Sequence, residues 1–128
     1  MRELRNRGYR IGLVSNWDGT LAATCTELGL TEYVDFIGDS TVFGQAKPAP
    51  AFFLHVLHQL GVRPEAALHV GDHYDADVEG ARASNITPIF IDIFDQEDRA
   101  CQYRTRSLRD VVRFAEVIDQ QQLNARAE

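Results

Sequence analysis

The chain has 128 residues, 45% hydrophobic and 25% charged, which fits one small soluble α/β domain with a real core. Its 13 basic and 19 acidic residues give a net charge of −6, and no basic stripe appears, so a nucleic-acid partner is excluded as an expectation. No apolar run reaches the length of a membrane helix, and the charged opening Met1-Arg2-Glu3-Leu4-Arg5 does not read as a signal peptide, so neither a membrane nor an exported location is expected.

In chain order, residues 1–7 read as the end of a helix, stopped by Gly8. Residues 10–14 read as a strand, and 21–28 as a helix closed by Gly29. A short strand is expected over 33–37. Residues 49–60 carry Phe52, Phe53, Val56, Leu57 and Leu60 at the 3.6-residue spacing of a helix, and Gly61 ends it. A strand follows over 67–70 and a helix over 78–83. Residues 87–91 read as a strand with Pro88 near its start, a placement an edge strand tolerates. Ser107, with Asp110 three residues on, reads as a capping box for a last helix. Leu108, Val111, Val112, Ala115 and Ile118 give that helix one apolar face. Strands alternating with helices at this spacing imply a Rossmann-like parallel sheet with flanking helices over residues 1–123. Residues 124–128 read as a disordered tail. Cys25 and Cys101 are few and far apart, which fits free thiols in a reducing cytoplasm.

The most informative run is Leu68-His69-Val70-Gly71-Asp72-His73-Tyr74-Asp75-Ala76-Asp77-Val78-Glu79-Gly80-Ala81. A buried strand there delivers carboxylates to the sheet's carboxyl edge, where open α/β folds bind ligands. Asp72 and Asp77 in one crevice would repel unless a cation lay between them, and a hard divalent ion such as Mg²⁺ suits oxygen ligands.

Here the chain resembles the haloacid dehalogenase-like hydrolases. Their last motif, Gly-Asp, four residues, Asp, matches Gly71-Asp72 and Asp77, followed by Gly80-Ala81. Val14-Ser15-Asn16 after an apolar run and Lys47-Pro48-Ala49-Pro50 before a helix match the two motifs between. The order Ser15, Lys47, Asp72, Asp77 carries the resemblance. It implies a phosphatase of the Mg²⁺-dependent type acting on phosphate monoesters of small molecules. Dehalogenation needs no metal and fits this acidic motif less well. By resemblance, Lys47 steadies the nucleophile and the phosphoryl group, Ser15 and Asn16 bind phosphate, and Asp72 and Asp77 serve the metal and catalysis.

The residues also carry their own arguments. Lys47 is the only lysine, and a compact ammonium can meet a phosphoryl oxygen and a carboxylate together. The Ser15 hydroxyl and the Asn16 backbone N–H suit a phosphoryl oxygen. Asp72 is the expected direct metal ligand. Asp77 is expected to partner Lys47 or a metal-bound water. Asp75 and Glu79 fit solvated acids near a helix start. The run from Asp75 imitates a calcium loop, but its twelfth position is Ile86, so that reading fails. His69 reads as a strand residue, His73 as a substrate-side contact, and His55 and His58 as packing or surface groups. Trp17 reads equally as an entrance residue or as packing.

One motif of the family has no match. Its members open with a strand ending in Asp-x-Asp-x-Thr, whose first Asp is the nucleophile and whose second is the general acid and base. Asn16-Trp17-Asp18-Gly19-Thr20 imitates it, but an amide cannot replace the carboxylate nucleophile, and Asp18 is set aside. In the resembling fold that strand is central, between those ending at Ser15 and Asp72. The sequence also opens inside what reads as the helix before the Ser15 strand. The expectation is a core lacking its N-terminal central strand and its cap, inactive alone. A second chain or a homo-oligomer could supply the strand. The rival reading is a non-catalytic module that binds a partner or completes another sheet. A phospho-acceptor receiver domain is set aside, because its lysine follows its acidic pair, whereas Lys47 precedes Asp72.

Overall fold

A computed structural model describes the backbone of residues 1–127 and the side chains of residues 1–121; within the expected tail 124–128, Glu128 lies outside the described residues. Helix α1 spans Arg2–Asn6, α2 Leu21–Glu27, α3 Ser40–Phe43, α4 Pro50–Leu60, α5 Gly80–Ala83 and α6 Val111–Ala127. Strand β1 spans Gly12–Ser15, β2 Phe36–Asp39, β3 Leu68–Gly71, β4 Thr87–Ile91 and β5 Tyr103–Thr105. Every strand pairing among the described residues is parallel.

The strands form two hydrogen-bonded sets, β1–β2 and β3–β4–β5. Gly12 pairs with Phe36 and Ser15 with Asp39; Leu68 pairs with Thr87 and Gly71 with Phe90. Helices hold the two sets side by side. On one face α4 lies against β1 and β2, where a Cβ on Gly12 or Gly38 would strike Val56 at 2.9 or 2.7 Å. Phe53, on that same helix, meets His69 of β3 and clusters with Leu57, Ala67, Ala81 and Ile86, and Val14 of β1 packs against that cluster, so the cluster bridges both sets. On the other face, Ile89, Ile91 and Tyr103 pack against Val111 and Ile118 of α6, with Leu4 of α1 joining them. Phe52 and Phe53 are fully buried, and truncating either to alanine is expected to cost about 3–5 kcal/mol.

Several expectations need correction. The strand expected over 33–37 is β2 at Phe36–Asp39, because residues 31–33 wind into a 3₁₀ turn first. The short α3 and β5 escaped notice, being only four and three residues long with no room for a period. The expected helix 78–83 begins earlier, as a π-helical turn over Tyr74–Glu79. β4 is not an edge strand; it lies between β3 and β5. Pro88 is tolerated because β5 pairs only from Ile89 onward. Its carbonyl faces the Cys101 thiol on that side, so its donor-less nitrogen faces away from β3 as well. The capping box is not closed. Ser107 Oγ accepts from the Arg109 N–H, but Asp110 takes the Thr105 hydroxyl instead of reaching back to Ser107. Leu108 falls in the preceding 3₁₀ turn and is 70% exposed, outside the buried face of α6.

Candidate active site

The carboxyl ends of β1 and β3 open on one cleft of about 410 Å³, lined by Ser15, Asn16, Lys47, Asp72, Asp77, His73 and Asp75. Every site residue expected from the sequence is thus brought together, from segments up to 62 residues apart. A second hollow of about 420 Å³ adjoins it through Asp72 and is lined by Val70, Ile91, Ile93 and Leu108.

Asp77 is the anchor of the cleft. Its Oδ1 accepts from Lys47 Nζ at 2.6 Å and from His69 Nε2 at 2.8 Å, and Oδ2 accepts the His73 backbone N–H at 3.1 Å. A carboxylate can only accept, so His69 carries its proton on Nε2. Burial pushes the Asp77 carboxyl up, but the hydrogen bonds from His69 and Lys47, with the lysine's charge, outweigh it and hold the group below the usual carboxylate range. The local chain makes this placement fit. Asp77 folds back over Gly71, where an added Cβ would lie 2.1 Å from its Cγ. The π-helical turn is capped by His73, whose Nδ1 accepts the Ala76 N–H at 3.1 Å, and it brings Asp77 back over β3.

Lys47 is fixed at both ends. The Asn16 side-chain amide accepts the Lys47 N–H at 2.8 Å and donates to the Lys47 carbonyl at 3.2 Å. Asn16 therefore spends its side chain on holding the lysine's backbone. The loop beyond it is clamped by Asp39, whose carboxylate takes the N–H groups of Gly19, Leu21 and Thr41, and by Ser40, whose hydroxyl takes the Trp17 N–H. Trp17 is 43% exposed beside this clamp. Asp18 turns its carboxylate onto Thr20, and those bonds lower its pKa.

Asp72 and Ser15 are different in kind. Among the described residues, neither the Asp72 carboxylate nor the Ser15 hydroxyl has a protein partner. The cleft thus holds a fixed ammonium, a free hydroxyl and a free hard-oxygen ligand. Such an arrangement can take an anion and a cation side by side. Among the described residues no group of three or more His, Cys, Asp or Glu forms a ready metal cage. Mg²⁺ does not ask for one, since it keeps waters and uses one or two carboxylates plus substrate phosphate. The donor set here fits that ion.

Sequence reasoning missed the His69–Asp77 contact. Its signal was alternation, since His69 and Gly71 are two apart on β3 and share the face over which Asp77 folds. Asp39 carried no signal at all; a lone Asp after an apolar strand is commonplace. His55 is a packing group, stacked on Phe43 at 4.6 Å.

Comparison with known proteins gives the chain's family. A family model for haloacid dehalogenase-like hydrolases matches residues 1–85, and the chain belongs to that family. It is 41% identical over 83 residues to haloacid dehalogenase-like hydrolase domain-containing protein 3 of Homo sapiens, covering 65% of this chain and 33% of that protein. It is 35% identical over 99 residues to ribulose-1,5-bisphosphate 5-phosphatase of Halopiger xanaduensis, covering 77% of this chain and 41% of that one. A crystal structure of a HAD phosphatase from Thermococcus onnurineus superposes with a TM-score of 0.84 at 29% identity, over 88% of this chain and 53% of that one. The chain therefore spans about a third to two fifths of the curated relatives it matches.

Proposed function

We propose that this chain is the C-terminal part of the catalytic core of a cytoplasmic, Mg²⁺-dependent phosphatase acting on phosphate monoesters of small molecules. The observation that carries the reading is the meeting of Ser15, Lys47, Asp72 and Asp77 in one cleft between two half-sheets. Relatives named as phosphatases of ribulose-1,5-bisphosphate and of phosphoglycolate support a small phosphorylated substrate.

In this reading Lys47 Nζ, held on Asp77, turns a proton toward a phosphoryl oxygen and balances its charge. The Ser15 hydroxyl and the Asn16 backbone N–H donate to a second oxygen. Asp72 would hold Mg²⁺, which, when bound, neutralises further phosphoryl charge. The described residues offer no unpaired carboxylate at the end of β1 to attack phosphorus. The nucleophile is assigned to a strand entering between β1 and β3, from a segment outside this sequence or from a second chain. That gap is one observation that also favours the rival reading, a non-catalytic module completing another sheet.

Assay of the 128-residue chain with p-nitrophenyl phosphate and Mg²⁺ tests the assignment. No turnover is expected. Rapid Mg²⁺-dependent turnover that disappears in Asp72→Asn would show that the nucleophile lies within this chain.

A further inference from the structure

We propose that His69 is a positioning residue, which sets the place of the Lys47 ammonium by holding the Asp77 oxygen that both of them meet; this rests on the reading of Lys47 as the phosphoryl-binding cation. A lysine ammonium rides on a flexible four-carbon stem and has no geometry of its own. Its position is only as sharp as that of the acceptor it meets. Here the acceptor is Asp77, whose side chain is 5% exposed and bound at three points.

Two of those bonds serve to fix the carboxylate for the third. The His73 N–H holds Oδ2 at 3.1 Å, and His69 Nε2 holds Oδ1 at 2.8 Å. The imidazole is itself held by the core. Its ring meets Phe53 edge-on, with centroids 4.9 Å apart and planes at 89°, and Phe53 is fully buried. A rigid series therefore runs from core ring to imidazole, carboxylate and ammonium. His69 is not among the residues lining the cleft, so it acts on a bound phosphoryl group through Asp77 and Lys47. With an apolar side chain at 69, Oδ1 would lose one of its two donors. Apart from the lysine itself, only the His73 N–H on Oδ2 would then hold the carboxylate, and the Oδ1 that the ammonium meets would be less sharply placed.

The single lysine makes this measurable, because lysine labelled with ¹⁵N at Nζ gives one signal from the whole chain. In the unligated 128-residue chain at low temperature, that ammonium is expected to show a resolved, slowly exchanging signal. His69→Phe is expected to lose it through rapid exchange while the backbone amide spectrum stays folded. His69→Gln, which keeps a donor at similar reach, is expected to restore it. An unchanged Nζ signal in folded His69→Phe would overturn the proposal, and so would its loss in folded His69→Gln. Should His69→Phe not fold, His69→Leu serves the same comparison. Adding inorganic phosphate with Mg²⁺ to the unsubstituted chain then separates the two claims. A shifted Nζ signal upholds the phosphoryl reading whatever the His69 variants do, and an unmoved one removes that reading without touching the positioning result.

Discussion

Asp77 and Asp75 lie two residues apart on one turn, and each meets a cation at nearly the same distance, Lys47 at 2.6 Å and Arg99 at 2.7 Å. The first pair is 13% and 5% exposed, the second 49% and 63%. Arg99 also covers the Tyr74 ring at 4.1 Å and bonds Glu97, so its neighbourhood is dense with contacts. Both carboxyls are held below their usual range, Asp75 by its hydrogen bond from Arg99, Asp77 by its donors against the pull of burial. Distance and direction of shift alone would rank the pairs together. Burial separates them. Water screens the outer pair and can replace either partner, whereas the inner carboxylate has three fixed donors and little access to solvent. The inward pair can position a reacting group; the outward pair trims a surface.

The largest effect that can break this contrast is Asp77→Ala. Removing one partner of a buried pair leaves Lys47 and His69 without their acceptor, at an expected cost of about 3–5 kcal/mol in chemical denaturation. A loss below about 1 kcal/mol, the range of exposed pairs, would put Asp77 in the same class as Asp75. Next comes Gly71→Ala, which places a Cβ where Asp77 now sits and should cost about 1–3 kcal/mol by overpacking. A neutral result would mean that Asp77 can leave β3 without loss.

Acid sharpens the same comparison. The depressed Asp77 pKa adds stability that is complete above the unfolded carboxylate value of about 4 and fades as pH falls through the lower folded value. The stability difference between the unsubstituted chain and Asp77→Asn should therefore be steady at neutral pH and shrink below about pH 4. A difference independent of pH down to acid unfolding would contradict it. Asn16→Ala removes two hydrogen bonds to the Lys47 backbone at an exposed site and should cost about 1 kcal/mol. The smallest effect is Arg99→Ala, which should leave the unfolding midpoint within experimental scatter; a clear loss would give the outer pair a structural weight that its exposure denies.

Much of this was legible in the sequence, for identifiable reasons. The helix over 50–60 announced itself by a full apolar stripe and a glycine stop. The β3 strand and its acidic loop stood out because an apolar run ends in Gly71-Asp72 with Asp77 five residues on, ahead of a helix-like segment. The convergence of Ser15, Lys47, Asp72 and Asp77 followed from parallel topology, which puts every strand's carboxyl end on one edge. What stayed hidden depends on tertiary contact. α3 and β5 are too short for a period to show. The π-helical turn has no pattern distinct from an acidic loop. The reach of His69 to Asp77 exists only because Gly71 lets the chain fold back at close range. Pro88 suggested an edge strand because the sequence does not tell that β5 begins pairing one residue later.

The measurement closest to the central claim is made on the native gene product isolated from its own cells, by intact mass and by release of phosphate from small phosphate monoesters. The account predicts a mass above the 14.4 kDa of this sequence, or a partner chain retained with it, and Mg²⁺-dependent release abolished by Asp72→Asn. A mass of 14.4 kDa with no partner and no phosphate release would contradict the phosphatase reading and leave the sheet-completing module in its place.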